Sequence, residues 1–154
     1  MEKRSSATLV FITPLLLLAV PACNIGFLGG GEFIGEGDLK ISAGYSINAD
    51  SSIRFSITIG NYGSTEAKQV FTSSQIYELE VSDDSGNVVW NFSHNRVFAQ
   101  VITELRLAPG QFQTDAVNWD RKRNDGQRLP HGVYDAKVFL VAGSHPKYEF
   151  KLRI

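Results

Sequence analysis

From Leu39 onward the sequence alternates apolar and polar residues with a period of two, and this restricts the fold more than any other feature. Leu39, Ile41, Ala43, Tyr45 and Ile47 take turns with Lys40, Ser42, Gly44 and Ser46 until residues 48–52 break the run. Ile53, Phe55, Ile57 and Ile59 repeat the pattern against Arg54, Ser56, Thr58 and Gly60. Successive side chains of a strand point to opposite faces, so the pattern predicts strands with one face buried and one wet. Further strands are expected near 68–72, 77–82, 88–92, 101–107, 111–118, 134–141 and 148–153. Asp83-Asp84-Ser85-Gly86 and Ala108-Pro109-Gly110 supply tight connections, since Asp and Gly tolerate the positive φ that hairpins need. Short strands at regular spacing, without a helical stretch or repeat, predict an all-β fold: an antiparallel, immunoglobulin-like β-sandwich forming a single domain over 39–154.

The residues before Leu39 are expected to serve another purpose. Lys3 and Arg4 precede an apolar core at 9–12 and 15–20, interrupted by Thr13 and Pro14. That core is too short to span a bilayer as a helix, and small residues follow it, which is the pattern of an export signal. It ends in Val20-Pro21-Ala22-Cys23, which holds the one cysteine of the chain. An aliphatic residue three before the cysteine and a small one just before it resemble the lipobox of bacterial lipoproteins. The alternative is an ordinary signal peptide with a stray cysteine; the lipoprotein reading is preferred because a lone thiol in an exported protein invites stray pairing.

Residues 1–22 are therefore expected to be a lipoprotein signal peptide, Cys23 the lipid attachment site and 23–38 a Gly-rich tether. As a random coil that tether reaches roughly 20 Å. Phe27, Leu28, Phe33 and Ile34 are more apolar than a spacer requires, and both contact with the bilayer and an added edge strand stay open. Asn24, rather than an aspartate, follows the cysteine, which favours the outer membrane or cell surface over the inner membrane. Removing residues 1–22 takes away two basic residues and one acidic one, so the formal net charge goes from −1 to −2. Such a balance argues against nucleic acid as a partner and against an electrostatic membrane patch. Membrane contact is expected from acyl chains, at about 0.8 kcal/mol per buried methylene.

Between Gln69 and Tyr134, aromatic and turn residues fall in a fixed order. It begins with Phe71-Thr72-Ser73-Ser74-Gln75-Ile76-Tyr77 and Asp84-Ser85-Gly86-Asn87-Val88-Val89-Trp90-Asn91-Phe92-Ser93. It continues with Phe98-Ala99-Gln100, Leu107-Ala108-Pro109-Gly110, Trp119-Asp120 and Gly126-Gln127-Arg128-Leu129-Pro130-His131-Gly132-Val133-Tyr134. This order is similar to that of the bacterial BsuPI family of intracellular proteinase inhibitors, over roughly residues 51–141. The resemblance implies tight, non-catalytic occlusion of a peptidase, and it carries no reactive-site residue with it. Ser74 stands where the family tends to have the glycine of Ser-Gly-Gln, while Gln75 and Tyr77 keep their spacing; Phe92 stands where a second tryptophan is common. A Trp-Asp, Asp-Gly, Pro-x-Gly-x-Tyr pattern also occurs in immunoglobulin-like modules such as those of flagellar hook-cap proteins.

Trp90 and Phe92 lie two apart on one strand face, and with Trp119 and Tyr134 they are expected to fill the core. Recognition is more at home on loops carried by a rigid β-scaffold. The candidate protein-binding residues are therefore Asn91, His94 and Arg96 in loop 91–97, and Arg121, Lys122, Arg123 and His131 in loop 120–131, where 121–123 form an exposed basic triplet. Ser93 beside His94 lacks the orienting acid and oxyanion site that nucleophilic catalysis needs. His94, His131 and His145 lack metal-ligand spacing. No enzyme activity, metal or cofactor is expected. The partner is expected to be a peptidase or another envelope protein, since the same scaffold also serves structural or assembly modules of the bacterial cell envelope.

Overall fold

The computed structural model describes residues 32–34, 38–142 and 146–154. The expected signal peptide at 1–22, Cys23, most of the expected tether and His145 lie outside the described residues. Ten strands follow in chain order: β1 (Glu32–Ile34), β2 (Leu39–Ile47), β3 (Ile53–Asn61), β4 (Ala67–Phe71), β5 (Tyr77–Ser82), β6 (Val88–Asn91), β7 (Thr103–Leu107), β8 (Phe112–Trp119), β9 (Val133–Leu140) and β10 (Lys147–Arg153). One sheet has the order β1-β10-β9-β5-β6, the facing sheet is β2-β3-β8, and β4 and β7 form a two-stranded ribbon. Every pairing is antiparallel. The fold is all-β, an antiparallel immunoglobulin-like sandwich.

Alternation places the core as expected. Ile41 and Ala43 of β2, Ile53, Phe55, Ile57 and Ile59 of β3, Leu79 and Val81 of β5, and Ala136, Val138 and Leu140 of β9 are all buried. Burying a side chain of the larger kind contributes about 1.5–3 kcal/mol. An aromatic stack ties the sheets together: the Trp90 and Trp119 ring centroids are 4.8 Å apart, and Phe55 lies 6.3 Å and 6.2 Å from them. Trp90 comes from one sheet and Trp119 from the other, so this stack crosses the sandwich. The inward stripe of β2 fades toward its end, where Ile47 is 51% exposed.

Asn61 joins the ribbon to the second sheet. It is fully buried; its Nδ2 donates to Thr65 O (2.7 Å) and Leu107 O (2.9 Å), and its Oδ1 accepts from Gly63 N (2.9 Å). Its backbone bonds Gln111 O and Gly110 N. Beside it, Gly60 faces Phe112 across the β3–β8 ladder, and a Cβ at Gly60 would sit 2.5 Å from the Phe112 ring. Only glycine lets that ring lie so close to the strand.

One expected element differs. The strand expected at 101–107 begins at Thr103, leaving Val101 and Ile102 outside the ladder. Of the two roles left open for Phe33 and Ile34, the structure shows the edge strand: β1 pairs Glu32↔Glu149, Phe33↔Tyr148 and Ile34↔Lys147. Phe33 and Ile34 thus belong to an edge strand.

Strand direction sorts the connections into two ends. Connections 72–76 and 92–102 leave at the end marked by Tyr77 and its partner Leu140. The turn at 83–87, the connection 120–132 and Ile154 gather at the opposite end, where Gly132 and Ile154 exchange backbone hydrogen bonds of 2.7 and 3.0 Å.

Candidate functional site

At the Tyr77 end, the chain leaves β6 through a tight turn built on Phe92. Phe92 N makes a last sheet-like bond to Leu79 O (2.8 Å); His94 N then donates to Asn91 O and Arg96 N to Ser93 O, both at 3.1 Å. Asn95 takes φ +57°, a conformation that asparagine adopts more readily than most residues. The Phe92 ring lies 5.2 Å from Tyr77 and 6.0 Å from Phe98, and the Arg96 guanidinium sits 4.2 Å from the Phe92 centroid. Both neighbours of Val97 are therefore held against one aromatic ring.

Underneath, Glu78 is a buried carboxylate that binds the loops together. Its Oε1 accepts from Ser93 N (3.0 Å) and Leu79 N (3.1 Å), and its Oε2 accepts from Gln75 Nε2 (3.0 Å). Ser74 completes the frame: its N–H donates to Ala99 O and its Oγ accepts from Ala99 N, both at 2.9 Å. Ser74 does not take a positive φ, so the serine at this position carries no left-handed strain, and its hydroxyl grips the neighbouring loop. Out of this frame stand Val97, 98% exposed, Val101 at 55% and Ile102 at 78%.

Connection 120–132 is spent largely on the fold itself. Lys122 bridges Arg128, Leu129 N donates to Arg121 O (2.8 Å), and Trp119 Nε1 donates to Lys122 O (2.8 Å). Its tip runs along the open edge of β6, where Asn124 N donates to Val89 O (2.9 Å). Asn124 Oδ1 accepts from Asn91 N (3.3 Å) and its Nδ2 donates to Asn91 Oδ1 (2.7 Å). Loop 91–97 follows β6 and loop 120–131 follows β8, and the two meet at this Asn91–Asn124 pair.

The basic triplet is corrected in one member. Arg121 is buried at 3% exposure with φ +65°; its Nη2 donates to Leu129 O (3.3 Å), and its Nε has no hydrogen-bond partner among the described residues. Arg121 lies two residues after buried Trp119 and four after buried Val117, so it continues the inward alternation of β8 past the strand's end. Lys122 is exposed and pairs with Asp120 (2.7 Å), an ion pair and hydrogen bond that hold the Asp120 carboxyl below its usual range. Arg123 is half-buried, 3.4 Å from Asp125. Asn91 is half-buried and structural, whereas His94, Arg96 and His131 are exposed.

Among the described residues, no group of three His, Cys, Asp or Glu side chains is placed to hold a metal ion. A cavity of about 250 Å³ lies at the far end, lined in part by Asp83, Arg123, Pro130 and Tyr134. It is smaller than ordinary small-molecule sites of about 300–1,000 Å³. The alternation assigns Val101 and Ile102 to a strand at 101–107, and Val97 falls in loop 91–97, but none of the three is among the candidate contact residues. The signal for Val101 and Ile102 is that two adjacent apolar residues break the period of two.

The BsuPI family model, described as intracellular proteinase inhibitor, matches residues 39–145. No curated protein matches. Similar solved structures include the C-terminal domain of wzt, at 11% identity and TM-score 0.49, over 80% of this chain and 77% of that one. Another is a CARDB domain from Pyrococcus furiosus in complex with di-metal ions, at 12% identity and TM-score 0.41, over 78% and 94%. A third is FlgD from P. aeruginosa, at 16% identity and TM-score 0.34, over 82% and 74%. With TM-scores below 0.5, these likenesses bear on neither the site nor its partner.

Proposed function

The chain belongs to the BsuPI family of intracellular proteinase inhibitors, and from that premise we propose that it blocks a peptidase by non-catalytic binding. The observation that carries this reading is the family match over 39–145, which takes in β2 to β9 and both candidate loops. A rigid sandwich with loops held at its ends is a fitting support, because binding then costs little further ordering of the inhibitor. A complex of this kind typically buries about 1,200–2,000 Å² in total.

We propose further that the protein is exported and lipid-anchored at Cys23, so that its target lies in the envelope or outside the cell. What supports this is the leader pattern and the lipobox-like Val20-Pro21-Ala22-Cys23. Labelled fatty acid should enter the wild-type protein and be absent from Cys23→Ala; equal labelling of both would remove the anchor from the proposal.

The test of inhibition is a titration of the full-length protein against purified serine, cysteine and metallo-peptidases, reading residual activity at each ratio. Stoichiometric loss of one activity, with the protein left uncut, is the expected result. No loss across the set would overturn the inhibitor reading and favour an assembly module of the envelope.

A further inference from the structure

We propose that Arg96-Val97-Phe98 enters the substrate cleft of the peptidase, with Val97 filling its main specificity pocket. The peptidase is then one that prefers a branched aliphatic side chain; this proposal rests on the inhibitor reading above.

Exposure and anchoring together point to this segment. Val97 is 98% exposed, so its apolar surface has no burial within the chain and gains one only in a complex. Its neighbours are fixed: Arg96 lies over Phe92, Phe98 packs on the same ring, and Ala99 is held by Ser74 through two hydrogen bonds. The ring carrying both neighbours is itself packed on Tyr77, and the turn beneath it is tied to buried Glu78. An exposed residue between anchored flanks loses little conformational freedom on docking, and after docking the flanks resist displacement.

The chemistry of the segment narrows the partner. Residues 97–102, Val-Phe-Ala-Gln-Val-Ile, hold no charge. The charged neighbour, Arg96, is folded back over Phe92. A pocket built for a basic or acidic side chain would bury its own charge against valine without a partner, a costly arrangement. A pocket shaped for aliphatic side chains meets no such penalty. Val101 and Ile102, exposed further along, extend the apolar contact beyond the pocket. The competing connection, 120–132, is spent on the β6 edge and on burying Arg121.

The test uses the full-length protein with elastase-type and trypsin-type serine peptidases as probes. Wild type should inhibit the elastase-type enzyme. Val97→Asp should weaken that inhibition by about thirtyfold or more, as expected for a central contact residue. Val97→Lys should weaken it comparably and create inhibition of the trypsin-type enzyme. Thermal unfolding of both variants should match wild type, because the side chain touches almost nothing in the fold. Inhibition that ignores both substitutions would overturn the assignment of the loop while leaving the inhibitor reading intact. Rapid cleavage after Val97 without inhibition would make the loop a substrate and overturn the assignment as well. Absence of inhibition by wild type against every peptidase class would overturn the function, and this proposal with it.

Discussion

At the scale of single residues, Asn61 shows how one polar side chain can hold a junction. Its amide serves Thr65, Leu107 and Gly63 at once, where β3 gives way to the β4–β7 ribbon. Asn61→Ala would leave the buried Leu107 carbonyl without this donor and open a small gap, costing about 2–4 kcal/mol. Urea unfolding should show the midpoint falling with an unchanged slope; an unmoved midpoint would deny Asn61 this role. In the sequence, Asn61 reads as a strand terminator followed by Tyr62-Gly63-Ser64, and its length-spanning bond to Leu107 is invisible there. Arg121 taught the same lesson from the opposite side. Composition places it beside Lys122 and Arg123 on the surface, while the alternation running out of β8 through Val117 and Trp119 carries it inward. Ser74 is the converse case: its identity was plain from sequence, yet its grip on Ala99 needed the loops in place.

At the scale of elements, alternation with period two located the strands because one face of each is buried and the other is wet. The ladder from Leu39↔Asn61 to Ile47↔Ile53 follows the written pattern residue by residue. β7 begins later than the apolar run suggests, because Val101 and Ile102 resemble strand residues yet are exposed and outside the ladder. Their apolarity belongs to the exposed loop rather than to the core. The sheet edge was equally hidden, since the Asn124–Asn91 contact joins residues 33 apart. An open edge offers unpaired backbone groups to another chain, and Asn124 closes part of this one with bonds to Val89 and Asn91. Asn124→Ala should cost about 1–2 kcal/mol and loosen residues 121–128. Hydrogen exchange should rise at Asn91 N, whose partner is the lost side-chain oxygen, while the amides of β3 stay protected. Unchanged exchange at Asn91 would mean that the edge is closed by other contacts.

At the scale of the whole molecule, stability should respond to alkali through Tyr77. Burial, with the Asp115 charge adding to it, pushes this phenol up from 10.0 to about 12. Because the folded value exceeds the unfolded one, the stabilisation is complete below pH 10.0 and is lost as pH rises through about 12. Chemical denaturation should therefore give a level profile from neutrality to about pH 9 and a decline above pH 10, which Tyr77→Phe should blunt. A decline of the same depth in that variant would place the alkaline sensitivity elsewhere. The molecule also has a direction. β1 runs antiparallel to β10, from Glu32 opposite Glu149 to Ile34 opposite Lys147, so the chain enters the sandwich heading from the Ile154 end toward the Tyr77 end. Val97 stands at the end toward which β1 heads, and Arg121 is buried near the opposite one.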